Sequence, residues 1–162
     1  MSVALQFGHR QAARDYDHRP TAFGVVVRDG LLAVVRVERG ENSYLDLPGG
    51  AVDGDETEVE ALVREFVEET GLAITAGRRM IEAGQYVLKS DGRAVNNTGG
   101  FWTGTVVAHD PAAKCEDDHD LRWIDPVEAV RTLRHEAHAW AVTTWLRDQA
   151  SVTTGTSIAP GG

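Results

Sequence analysis

Apolar and polar positions change period several times along the chain, and each change marks an element. Ala22 to Val27 and Leu31 to Val37 are runs rich in β-branched residues joined at Asp29-Gly30, a two-residue turn signal, and they predict a hairpin. From about Thr57 to Thr70 the period becomes helical, with Val59, Leu62, Val63, Phe66 and Val67 on one side. Gly84 to Lys89 and Phe101 to Ala108 read as strands around a turn-rich insert, Ser90 to Gly100, which holds Asp91-Gly92, Asn96-Asn97 and Gly99-Gly100. A short strand near Leu121 to Ile124 precedes Asp125-Pro126. There a capping residue, a proline and Glu128 three residues past the cap open a helix that runs to about Arg147. A polar arm over residues 1–19 and a small, polar tail over residues 150–162, expected to be disordered, flank one domain over residues 20–149.

The helix of residues 57–70 carries an unusual polar face. At about 100° per residue, Glu65, Glu68 and Glu69 (i, i+3, i+4) share a narrow sector pointing away from the apolar stripe. Either Asp55 with Glu58 or Thr57 with Glu60 supplies a capping box at the start, and Gly71 supplies the left-handed residue at the stop. Like charges at this spacing oppose the helix. Between Ala51 and Thr70 there are eight acids and one base, Arg64. Something else must neutralise this face, and hard divalent cations such as Mg²⁺ or Mn²⁺, which take oxygen ligands and share them with phosphates, would do so. A solvated acidic face is the plainer reading of three glutamates alone.

At 162 residues, with 42% hydrophobic and 25% charged positions, the chain is long enough for one cored globular domain. A net charge of −9 argues against nonspecific binding to nucleic acid or to an anionic membrane. No apolar run reaches membrane-spanning length, and the first twenty residues lack a secretory apolar core. The single cysteine, Cys115, has no internal disulfide partner and reads as a bystander, so a reducing cytoplasm is expected.

Gly50, Glu56, Arg64, Glu65, Glu68, Glu69 and Gly71, with Phe66 and Leu72 apolar, together form the pattern of the Nudix box, and the chain resembles a Nudix hydrolase from about Pro20 to Gln149. Seven such positions coincide by chance on the order of once in 10⁸ windows. The resemblance implies an α/β Nudix fold, an α/β/α sandwich with a mixed sheet. It also implies metal-dependent hydrolysis of a phosphoanhydride in a nucleoside diphosphate linked to another moiety, with Mg²⁺ or Mn²⁺ as cofactor and a small nucleotide or diphosphate as substrate. The implied catalytic set is Glu65, Glu68, Glu69, Arg64 and Glu56. The three glutamates and the carbonyl of Gly49 hold metal, Arg64 pairs with Glu56, and Leu47-Pro48-Gly49-Gly50 leads into the box.

The resemblance also implies a further acid on the loop before the last strand, for which Glu116, Asp117 and Asp120 are candidates. For Arg36 and Arg39, at the end of the second strand, the resemblance implies a cation against substrate phosphate, with a surface ion pair to Glu38 or Glu41 as the alternative. Tyr86 and Trp102 offer base stacking, or else core packing. His135 and His138 fall one residue short of the zincin spacing, so a packing role is expected there. Trp140 and Trp145, with Ala137, Ala141 and Thr144, form a core stripe, with a homodimer contact as the lesser reading. Two other functions fit the resemblance: a nonhydrolytic nucleotide sensor, and an isoprenoid diphosphate isomerase, for which lone Cys115 is poor support. The substrate stays open among dinucleoside polyphosphates, (deoxy)nucleoside triphosphates, nucleotide sugars and capped RNA ends, the last disfavoured by the acid balance; the absence of proline between Leu72 and Asp110 weakens ADP-ribose.

Overall fold

The computed structural model describes residues 4–155. Their elements in chain order are β1 (Leu5–Phe7), β2 (Asp17–Arg28), β3 (Leu31–Arg39), β4 (Asn42–Asp46), β5 (Gly49–Ala51), α1 (Glu58–Thr70), β6 (Leu72–Leu88), β7 (Ala94–His109), β8 (His119–Ile124), α2 (Pro126–Thr132) and α3 (Glu136–Gly155). The strands join in the order β1-β6-β7-β2-β3-β4, with β5 on β2 and β8 on β3. Pairing is mixed: β1 runs parallel to β6 and β7 parallel to β2, while β6–β7, β2–β3, β2–β5, β3–β4 and β3–β8 are antiparallel.

Period-two alternation sends neighbouring residues of the central strands to opposite faces. Ala22 and Val26 of β2 and Ala33 of β3 pack with Leu62 and Phe66 of α1. Phe23, Val25, Leu32 and Val34 pack instead with Ala129, Leu133, Ala137, Ala141 and Val142 of the α2–α3 segment. Helices therefore cover both faces of a mixed sheet, the expected α/β/α sandwich. Thr57 is the cap of α1: its side chain accepts from Glu60 N–H and touches Glu60 Oε1 at 3.1 Å, which decides between the two registers, and Gly71 closes the helix at φ 74°.

Several expectations need correction. The arm over residues 1–19 contributes to the sheet, because Leu5–Phe7 pairs with Ala83–Gln85 and β2 already begins at Asp17. The insert Ser90–Gly100 is a turn only around Asp91-Gly92. From Ala94 onward it is strand, paired in parallel with β2 from Asp17. Gly99, which reads locally as a turn residue, serves close approach: a Cβ there would lie 1.6 Å from Thr21 O. The single helix expected from Pro126 to Arg147 is two. Leu133 turns extended (ψ 132°), and Arg134 N–H is taken by Leu45 O at 2.9 Å, so β4 interrupts the helical ladder. Residues 150–155, expected in the tail, extend α3, and 156–162 lie outside the described residues. Trp145 joins the core as expected, whereas Trp140 is 44% exposed and leans on Phe7 of β1.

Phe66 is fully buried between α1 and the sheet. Phe66→Ala is expected to cost about 3–5 kcal/mol, read as a lower urea midpoint at unchanged m-value.

Candidate active site

Arg64 organises the start of the site. Its Nε donates to Glu56 Oε1 at 2.6 Å and one terminal nitrogen to Glu56 Oε2 at 2.9 Å, a bidentate fork. The same nitrogen reaches Ala51 O at 3.0 Å, and the other donates to Glu65 Oε1 at 3.0 Å and Glu68 Oε2 at 3.2 Å. The loop before α1 is thereby tied to the acidic face of the helix. These bonds, with a further one from Asp53 N–H, hold the Glu56 carboxyl down to about 2.

The acids do not all point to solvent as the helical wheel suggests. Glu69 is 3% exposed. Its Oε1 accepts from Gly49 N–H at 2.9 Å, and its Oε2 lies 3.2 Å from His119 Nε2. Burial pushes its pKa well up, against the pull of the Gly49 bond. Glu65 is raised for the same reason, with Arg64 opposing. The preceding glycines make this approach feasible. Gly49 sits at φ 141°, where a Cβ would strike Ala22 O at 2.2 Å, and a Cβ on Gly50 would meet Glu65 Oε1 at 2.7 Å.

A second segment completes the cluster. The carbonyl of Glu68, in the last turn of α1 where intrahelical donors run out, accepts from Cys115 N–H at 2.9 Å and Glu116 N–H at 3.1 Å. Glu116 is thus delivered to the helix face. Glu65, Glu68 and Glu116 each offer an oxygen within 4.8 Å of the others, and so do Glu69, Glu116 and His119 with one ligand atom each. His119 also places Nδ1 2.7 Å from Asp118 Oδ1 and 3.1 Å from Glu116 Oε2. Burial lowers its pKa and Glu116 opposes that. An all-oxygen group beside an oxygen-plus-nitrogen group, sharing Glu116, is a donor chemistry that fits Mg²⁺ or Mn²⁺.

Of the further acids, Glu116 joins the cluster, while Asp117 and Asp120 are exposed and belong to neither group. Arg36 pairs with Glu38 at 3.4 Å and Arg39 with Asp118, so both are held in surface ion pairs. Tyr86 packs edge-on against Tyr16 at 4.8 Å and does not line the cleft, and Trp102 packs on the α1-side core. The cleft of about 140 Å³ at Glu69 and Gly49 is lined instead by Arg19, Lys89, Asn97, Arg134, His135 and His138, among others. It shares Val87, Lys89 and Arg134 with a neighbouring cavity of about 390 Å³ walled by Tyr44 and Arg39. His138 has the packing role expected of it, between Phe23 and Phe101, and its Nδ1 accepts from Leu47 N–H at 3.1 Å, which steadies the Pro48-Gly49 turn. Burial drives its pKa to about 3. Sequence reasoning missed His119, although it adjoins the acidic run, and it missed Arg19 and Lys89, which carry no local signal.

The NUDIX domain matches residues 17–146. A "MutT-like protein" of Streptomyces ambofaciens is 43% identical over 58 residues, 35% of this chain and 36% of that protein, so the match spans little more than a third of that relative. Among solved structures, a NUDIX hydrolase from Nitrosomonas europaea superposes with TM-score 0.71 at 20% identity, covering 82% of this chain and 90% of that one. A MutT protein from Methanosarcina mazei superposes with TM-score 0.62 at 18% identity, covering 85% and 99%. Both share the fold.

Without metal, burial of Glu69 has a measurable sign. Its native pKa lies above the unfolded value near 4.5, so the stability tied to its proton is complete below that pH and is lost as pH rises through the native pKa. Glu69→Gln cannot ionise. In EDTA it is expected to melt above the wild type at neutral and alkaline pH, with the gap closing toward pH 4.5 in thermal melts followed by circular dichroism.

Proposed function

Because the chain belongs to the NUDIX domain family, we propose that it is a divalent-metal-dependent pyrophosphohydrolase acting on a nucleoside diphosphate linked to a further group. The observation that carries this reading is the pair of overlapping donor groups joined through Glu116 and backed by buried Glu69. Glu65, Glu68 and Glu116 would hold one cation, and Glu69, Glu116 and His119 a second. When bound, a divalent cation supplies neutralisation of phosphate charge and acidification of water.

The chain's own residues do the rest. Arg64 keeps Glu65 and Glu68 in place from behind, and Glu56 keeps Arg64 from swinging. Gly49 and Gly50 let the diphosphate approach the main chain closely. A water oxygen forms a bond to phosphorus, the bridging P–O bond breaks, and the leaving phosphate keeps the bridging oxygen with its electron pair. A carboxylate of the acidic cluster takes the water's proton, while Glu69, held by Gly49 N–H and lying beside His119, would serve the second cation. The small cleft alone is below the roughly 300–1,000 Å³ of ligand pockets. With the cavity beyond Lys89 it can lodge a nucleotide, and there Tyr44, under the Arg134 guanidinium at 4.6 Å, rather than Tyr86, faces the ring. A cytoplasmic setting suits this substrate class. Among the described residues, no helix is long and apolar enough to cross a membrane.

Glu69→Gln, which takes a charged ligand from the second cation, is expected to lower kcat by about 10–100-fold or more on a nucleotide panel with Mg²⁺ or Mn²⁺, read as released phosphate, pyrophosphate and nucleoside monophosphate. Full activity in that variant removes Glu69 from the chemistry, and tight nucleotide binding without turnover by the wild type turns the reading into that of a sensor. His119→Ala is expected to weaken Mn²⁺-supported turnover more than Mg²⁺-supported turnover, since an imidazole nitrogen suits the softer ion.

A further inference from the structure

The cleft contains positive charge that the hydrolytic groups do not use. Arg19 of β2 and Lys89, just past β6, are both half-buried and line the same cleft as Glu69 and Gly49. The side chain of Arg19 makes one hydrogen bond, to the neutral amide oxygen of Asn97 at 3.1 Å. Among the described residues neither Arg19 nor Lys89 is in an ion pair, although the protein carries a net charge of −9. The surrounding cations are all matched: Arg93 with Asp91 at 2.8 Å, Arg134 with Asp46, Arg39 with Asp118, and Arg64 with its carboxylates. Burial lowers the proton affinity of both groups, and the charges of Arg19 and Arg93 lower that of Lys89 further. Half-buried cations without a counter-ion are costly, and they persist where a ligand supplies the opposite charge.

Position identifies that ligand. Arg19 and Lys89 line the same cleft as Gly49, Gly50 and Glu69, and among the described residues neither forms an ion pair with the acids of α1. A diphosphate lying between metal ions and those acids already has its charge met. Two more cations in the same cleft require more anion. Lys89 also borders the larger cavity, which lets a phosphate chain continue past it toward Tyr44.

We propose that Arg19 and Lys89 form an anion subsite for a third phosphate, so that chains of three or more phosphates, in nucleoside triphosphates or dinucleoside polyphosphates, are preferred over diphosphate diesters such as nucleotide sugars. This inference rests on the pyrophosphohydrolase reading of the acidic wall. Its test therefore has one arm that needs no turnover. In EDTA at low salt, calorimetric titration with inorganic tripolyphosphate is expected to show binding to the wild type, weakened roughly 10–100-fold in R19Q/K89M, as loss of charge-assisted hydrogen bonds implies. The double variant keeps similar side-chain lengths and removes like charges, so its ligand-free melting temperature should not fall. Should R19Q destabilise the fold, K89M alone carries the comparison.

In the second arm, with Mg²⁺, wild-type kcat/KM is expected to be higher for ATP or diadenosine tetraphosphate than for UDP-glucose. K89M should lose more on the favoured compound than on UDP-glucose, mainly through KM. Either order of ATP and diadenosine tetraphosphate supports the subsite and names its source. Preference for UDP-glucose, absence of tripolyphosphate binding, or equal binding by R19Q/K89M overturns the proposal. Absence of turnover on every compound, with tripolyphosphate binding lost in R19Q/K89M, would fault the hydrolytic reading and leave the subsite standing.

Discussion

A carboxylate held out of water at the junction of three elements governs this molecule. Glu69 leaves the last full turn of α1, takes the amide of Gly49 in β5 and meets His119 in β8. Removing an ionisable group from water is unfavourable, so the surroundings have to repay it through bonds from fixed positions. The amide of Gly49 and the histidine at the head of β8 are the surroundings that do so, and His138 steadies Leu47 two residues before that glycine. Stability and ionisation are opposed at this point: the desolvated oxygens are a liability once they carry charge.

The acidic face of α1 and the cleft next to Glu69 divide the electrostatic labour. On one side a single guanidinium, Arg64, is shared among Glu56, Glu65 and Glu68, which leaves negative charge in surplus. In the cleft Arg19 and Lys89 leave positive charge in surplus. Direct contact would let the surpluses cancel. The β2–β7 pairing, which fixes Arg19 opposite Asn97, and the bonding of Arg64 to Ala51 O and the helix acids hold them apart.

What could be read from the sequence was what local chemistry determines. The capping pair Thr57 and Glu60, the stop at Gly71, the Asp29-Gly30 turn and the i, i+3, i+4 acids each depend on neighbours within one or two helical turns. The Arg64–Glu56 fork followed from the family pattern and is present in full. The burial of Glu69 was not legible, because the wheel shows only that three acids share a sector and not where the sheet cuts that sector. Arg19 and Asn97 lie 78 residues apart and meet only through parallel pairing. The same pairing turned Asn96-Asn97 and Gly99-Gly100 from apparent turns into strand, as tertiary contacts override local preference.

The double acceptance by the Glu68 carbonyl has a consequence for how this chain can drift. Glu116 reaches the acidic cluster because two backbone amides, at positions 115 and 116, clip the incoming loop to the end of α1. Main-chain clips are indifferent to side-chain identity. Position 115 can accordingly exchange its exposed thiol for almost any other group while the neighbouring carboxylate keeps its aim. Proline, which lacks the N–H, is the substitution that the geometry forbids there.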